Sequence, residues 1–266
     1  AFLGLNLADT MNISSLLTDF YSLSGKSMIR LSQCNEKRRG SSLSYERLDK
    51  IIASTGRWSR REAKTLVREG RVLVDGAPAA GVEVKVDPEA SEILVDNQDL
   101  GYRRYSYILL NKPAGLLSAT EDNRQETVLD LLSPELRRIG LSPVGRLDKD
   151  TEGLLLLTND GAMAHALLSP KRHVDKVYYA VLSAPADETD RAAFQNGIRL
   201  GDFTCLPAHL DITEAPTELF VTLHEGKFHQ IKRMFSSRGK TVLYLRRVAM
   251  GPLQLEASLG VGEFRY

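Results

Sequence analysis

A compact group of ionisable side chains lies in the stretch Val144-Gly145-Arg146-Leu147-Asp148-Lys149-Asp150-Thr151-Glu152, which runs directly into the apolar residues Leu154 to Leu157. The apolar run reads as a buried strand, so the polar loop is anchored at one end. An anchored loop holds a side chain in place, which a reacting carboxylate requires. An ionised carboxylate beside a cation can act as a nucleophile or as a base. By residue type alone, a solvated turn with an Arg–Asp pair explains the loop more simply. Other chemical signals are weaker. Gly239-Lys240-Thr241 looks like the end of a phosphate-binding loop, but Met234 stands where the earlier glycine is required. His224-Glu225 and His229 are one residue too far apart for a zinc-protease helix, and Gly226 interrupts them. The five histidines and two cysteines show no ligand spacing, so no metal and no cofactor are expected. Cys205 reads as a packed thiol.

A second group of charges suggests binding. Residues 46–81 hold eight Lys or Arg against five acids. Arg57, Arg61, Lys64 and Arg68 follow the spacing of one helix face, and such a face tracks phosphates. The same spacing also describes an ordinary solvated face.

The elements that would position these groups follow from periodicity. Leu48, Ile51 and Ile52 share one face of a helix over residues 46–55, and Ser59 is placed to cap a second helix over 60–69, ended by Gly70. Val72 to Val74 reads as a strand, followed by the hairpin signal Asp75-Gly76. A linker is expected around residues 96–104. Strands follow at Tyr107 to Asn111, Leu154 to Thr158, Val177 to Ser183 and Glu218 to Leu223, with a turn at Lys112-Pro113-Ala114-Gly115 and helices over 187–195 and 228–238. Residues 1–44, rich in serine and without a sustained amphipathic period, read as a disordered leader.

Three blocks, Arg47-Leu48-Asp49-Lys50, Ser59-Arg60-Arg61-Glu62-Ala63 and Gly70-Arg71-Val72-Leu73-Val74-Asp75-Gly76, together resemble the S4 RNA-binding domain. The resemblance implies RNA contacts from Arg47, Lys50, Arg57, Arg60, Arg61, Lys64 and Arg68. Gly145-Arg146-Leu147-Asp148 followed by Thr151-Glu152-Gly153-Leu154-Leu155-Leu156-Leu157-Thr158 resembles the signature of RsuA-like and RluA-like pseudouridine synthases. That family's catalytic aspartate maps to Asp148, and the arginine that helps displace the target base maps to Arg146. Lys176-Val177-Tyr178 resembles the family's K-x-Y strand and implies Tyr178, rather than Tyr179, as the active-site tyrosine. Glu225-Gly226-Lys227-Phe228-His229-Gln230-Ile231-Lys232-Arg233-Met234-Phe235 resembles its third motif and implies Lys232 as the cation beside the aspartate. Some relatives carry Arg there. Lysine cannot make the same two-pronged pair, and Arg233 stands as the alternative partner. Leu245, in the block from Leu245 to Gly251, corresponds to a packing residue of the uracil pocket.

The resemblance covers residues 46–266. It implies an α+β chain: an S4 domain over residues 45–97 and a catalytic domain over 104–266, on a mixed, mainly antiparallel sheet with flanking helices. The implied activity is isomerisation of a specific uridine to pseudouridine in ribosomal RNA. Pro170-Lys171-Arg172-His173 and His229-Gln230 favour 16S small-subunit rRNA, or an assembly intermediate containing it, over 23S rRNA. An inactive S4-type assembly factor would lack the intact set Asp148, Tyr178 and Lys232. A net charge of +1 means that any affinity for RNA must be local. No run approaches the roughly 18 apolar residues of a membrane helix. The sparse cysteines suit a reducing cytoplasm, and a monomer is expected because no large apolar stripe is evident.

Overall fold

The structure is a computed structural model and describes residues 45–169 and 172–266. The expected leader, Cys34, Pro170 and Lys171 lie outside the described residues.

The first part is a small helical and stranded unit. Strand β1 (Glu46–Arg47) pairs with β4 (Lys85–Val86), and helices α1 (Leu48–Ser54) and α2 (Arg60–Arg68) pack together between them in the chain. The expected first helix is shorter than read, because residues 46 and 47 pair as strand instead. Helix α2 starts on a reciprocal cap: the Glu62 amide donates to the Ser59 hydroxyl, and the Ser59 amide donates to the Glu62 carboxylate. Gly70 ends it with a φ of 71°. Strands β2 (Val72–Val74), β3 (Ala77–Pro78), β5 (Ile93–Val95) and β6 (Gln98–Asp99) form a sheet in the order β3-β2-β5-β6. Asp75 and Gly76 both take positive φ, the geometry of a two-residue hairpin. Asp96 and Asn97 do the same and join β5 to β6. The segment read as a linker is therefore partly strand, and Leu100 is buried in the same core as Leu48, Ile51, Ile52, Leu66 and Val95.

The second part is built on a nine-stranded sheet. Its strands are β7 (Tyr107–Lys112), β8 (Ser142–Pro143), β9 (Glu152–Thr158), β10 (Lys176–Leu182), β11 (His209–Ile212), β12 (Glu218–Leu223), β13 (Val242–Met250), β14 (Leu253–Gln254) and β15 (Phe264–Arg265). Their order is β11-β12-β10-β13-β9-β7-β15, with β14 beside β13 and β8 beside β9. Among the described residues, β9–β13 is the only parallel pairing between strands of this sheet. The chain is thus α+β on a mixed, mainly antiparallel sheet.

Four successive leucines in β9 make sense only if both faces of the strand are covered. Leu155 and Leu157 share one core with Ile108, Leu110, Tyr178 and Leu245, into which helices α5 (Glu188–Asn196) and α6 (Gln230–Ser237) insert Phe194, Met234 and Phe235. Leu154 and Leu156 join Leu109, Val144 and Met250 in another, against Met163 and Leu167 of helix α4 (Gly161–Leu168). The remaining helix, α3 (Pro134–Arg138), is short and capped by Ser133. The central strand is therefore clamped from above and below, and the loop that precedes it inherits a fixed origin.

Candidate active site

The loop from Val144 to Thr151 is bound at several points. The Val144 amide donates to the Leu156 carbonyl at 2.7 Å. The Leu147 amide donates to the Ser118 hydroxyl at 3.1 Å, and that hydroxyl donates back to the Leu147 carbonyl at 3.0 Å. The Thr151 amide closes a turn onto the Asp148 carbonyl, and the Gly115 amide donates to the Lys149 carbonyl at 2.7 Å. The strongest brace comes from Lys112. Its side chain is fully buried, and its ammonium donates to the carbonyls of Pro113, Lys149 and Thr151 at 2.9, 3.2 and 3.0 Å. Burial pushes the Lys112 pKa down to about 8, although Glu152, Asp150 and Asp148 oppose the shift.

Asp148 sits at the mouth of this braced loop with 26% of its side chain exposed. Helix α6 supplies its counter-charge: Lys232 Nζ donates to Asp148 Oδ2 at 3.1 Å and to Asp150 Oδ1 at 2.5 Å. Burial works against the Lys232 charge, but the two carboxylates outweigh it and hold the ammonium above the usual lysine range. Burial likewise opposes the charge on Asp150, and Lys232 outweighs it, keeping that carboxyl below its ordinary value. His229, the residue before α6, has a left-handed backbone with φ of 48° and brings Nε2 to 3.7 Å from Asp148 Oδ1.

A cleft opens in front of Asp148, lined also by Arg146, Tyr178, Leu245, His229 and Lys232. Tyr178 of β10 and Leu245 of β13 come from neighbouring strands and are almost wholly buried. All five residues expected at the site from the sequence therefore border one space. The alternatives point elsewhere. Tyr179 donates to Glu218 Oε2 at 2.6 Å and packs with Phe220 and Tyr244, apart from the Tyr178 core. Arg233 pairs with Asp202 and lies over the Phe203 ring. Glu152 accepts from the Tyr244 hydroxyl at 2.7 Å.

The expected binding face is less uniform than its spacing suggests. Arg60, Arg61, Lys64 and Arg68 are exposed on or at the start of α2. Arg57 is not on that helix face, because the helix begins three residues later. Its guanidinium donates to the Leu100 carbonyl and lies 4.7 Å over the Trp58 ring. Arg47 is paired with Asp49, and Lys50 with Glu46.

Three contributors have no signal in the sequence pattern: Lys112, Ser118 and the approach of His229 to Asp148. Lys112 was visible only as part of a turn, since its acceptors lie up to 39 residues away. The discounted signals have structural uses. Lys240 pairs with the fully buried Asp190 at 2.7 Å, His224 lies 2.8 Å from Asp175, and burial raises the pKa of the Cys205 thiol. Among the described residues, no cluster of three or more His, Cys, Asp or Glu could hold a metal ion. None of the described helices is long and apolar enough to cross a membrane.

Comparison with known proteins gives the same direction throughout. The family model described as RNA pseudouridylate synthase matches residues 106–237, and the S4 domain model matches residues 46–90. The uncharacterized RNA pseudouridine synthase YtzG of Bacillus subtilis (strain 168) is 46% identical over 223 residues, spanning 82% of this chain and 93% of YtzG. Ribosomal small subunit pseudouridine synthase A of Vibrio cholerae is 37% identical over 223 residues, spanning 83% of this chain and 95% of that protein. The Escherichia coli (strain K12) protein of the same name is 37% identical over 222 residues, spanning 82% and 95%. A crystal structure of a pseudouridylate synthase superposes with a TM-score of 0.58 at 34% identity, covering 82% of this chain and 94% of the other. Identity at this level along nearly the whole length of the relatives, joined to a braced aspartate–lysine pair in a tyrosine-walled cleft, places this chain in the RNA pseudouridine synthase family of isomerases.

Proposed function

We propose that the protein converts one uridine of small-subunit (16S) ribosomal RNA to pseudouridine, with Asp148 as the catalytic carboxylate. The observation that carries this reading is the 3.1 Å pair between Asp148 and Lys232 at a cleft bordered by Tyr178 and Leu245. The reaction breaks the bond between ribose C1′ and uracil N1, turns the base and rejoins it through C5, with loss of the C5 proton. A fixed, ionised carboxylate serves it by attack at C1′ or by taking a sugar proton. Tyr178 stacks on the uracil, Leu245 packs against its edge, and Arg146 fills the space that the extruded base leaves. Extrusion costs a few kcal/mol and needs such a replacement.

Residues 104–266 carry this chemistry in the proposal, and residues 45–97 grip structured RNA through the cations of α2, by shape and phosphate contacts. The small subunit is favoured because both named relatives from V. cholerae and E. coli are small-subunit enzymes. The setting is the cytoplasm, where ribosomes are assembled.

Asp148→Asn keeps the shape and removes the charge. It should bind small-subunit rRNA as the wild type does and release no tritium from [5-3H]uridine-labelled transcript. Persistent release would refute the assignment. Mapping the pseudouridine lost from rRNA when the gene is deleted identifies the subunit.

A further inference from the structure

Phe228 is the most exposed large apolar side chain among the described residues, at 74%. It lies between Lys227 and His229, which both line the Asp148 cleft. One face of its ring is covered: the His229 imidazole stacks on it with centroids 3.8 Å apart and planes 17° from parallel. The Nε2 edge of that imidazole lies 3.7 Å from Asp148 Oδ1. The left-handed backbone of His229, unusual for a residue with a side chain, is what lets one short segment face both neighbours.

The segment is braced. Buried Gln230 accepts from the Lys227 amide at 3.0 Å and donates to Glu225 at 2.6 Å, and Glu225 also accepts from the Leu206 amide at 2.8 Å. A phenyl ring is thus held out into solvent by a fixed loop whose flanking residues, Lys227 and His229, line the Asp148 cleft. It contributes nothing to the core.

We propose that the open face of Phe228, backed by His229, is a stacking platform for the nucleobase adjacent to the target uridine. This rests on the reading that the protein acts on RNA. Turning the target out of its stack bares a face on each flanking base; Arg146 fills the vacated space against one of them, and an aromatic surface restores the contact of the other. Stacking of this kind holds the RNA before and during the reaction alike, so it acts on KM rather than on kcat.

The test uses the full-length protein with in vitro transcribed small-subunit rRNA labelled with [5-3H]uridine, and compares Phe228→Ala, Phe228→Leu and Phe228→Trp. Because the ring is exposed, all three should melt at the wild-type temperature. Phe228→Ala and Phe228→Leu should raise KM by about 5- to 150-fold with kcat little changed, and Phe228→Trp should restore it. A wild-type KM in Phe228→Ala overturns the proposal. So does a wild-type KM in Phe228→Leu, because apolar bulk without a ring would then suffice. A wild-type enzyme inactive on rRNA would overturn the proposed function itself, and with it this platform; an active wild type with an unaffected Phe228→Ala overturns the platform alone.

Discussion

Replacing Lys112 by methionine separates the two ways in which a buried cation acts on this fold. The wild-type ammonium is fully buried and its pKa lies near 8, against 10.5 for an ordinary lysine. Above pH 8 the unfolded chain still holds this proton while the folded chain releases it. Stability contributed by the group therefore rises with pH through the window from 8 to 10.5 and is lost below it. At 1.36 kcal/mol per pKa unit, the wild type should gain about 2.5 kcal/mol over Lys112→Met between pH 7 and pH 10. Urea melts of both proteins across that range read the difference directly, and other titrating groups cancel. Activity should move the opposite way. An amine has two N–H groups for the three carbonyls of Pro113, Lys149 and Thr151, so the wild-type kcat should fall above pH 8 as the Asp148 loop loosens. A stability difference that is flat, or that falls with pH, would refute the claim that desolvation dominates at Lys112.

Lys232→Met removes one charge-assisted hydrogen bond to Asp148 and should lower kcat by about 10- to 150-fold; Asp150→Asn, whose side chain is 73% exposed, should lose far less in the same tritium-release assay. Gly153→Ala forces a Cβ to 2.2 Å from the Arg247 carbonyl at a φ of 101°, and thermal melts should show a loss of at least about 1–3 kcal/mol. Changing Arg61, Lys64 and Arg68 together to glutamine should weaken RNA binding and flatten the slope of log affinity against log salt by about 2 to 3, with kcat at saturating RNA retained.

The parts of this molecule that were legible in sequence share a short range. The Ser59 cap, the Asp75-Gly76 hairpin and the leucines of β9 are set by neighbours within four residues, where periodicity and turn chemistry operate. Asp148, Tyr178, Lys232 and Leu245 were located by likeness to a family, and the structure places them around one cleft. Long-range geometry was not legible. Lys112 closes the end of a strand in sequence, and only the fold brings the Lys149 and Thr151 carbonyls to it. Arg57 fits a helical face by spacing, but the cap at Ser59 starts the helix after it. The Asp96-Asn97 turn signal sits inside a polar stretch, which by composition alone reads as linker and hides β6.

Gly153 shows how the Asp148 loop and the Leu245 wall of the cleft are tied together. In sequence it is a glycine at the head of a leucine run, a weak position for a strand. In the fold, β9 and β13 run parallel there, with Gly153 opposite Arg247 and Glu152 opposite Arg246. The missing Cβ lets the β13 backbone close to a distance that no side chain would allow. Arg247, almost wholly buried, then donates to the Leu154 carbonyl at 2.8 Å and locks the same two strands. Leu245 stands two residues before Arg247 on β13, and Asp148 stands five residues before Gly153. The close backbone approach at Gly153 and the Arg247 bond thus join the strand that carries Leu245 to the strand that anchors the Asp148 loop, although almost a hundred residues separate the aspartate from the leucine.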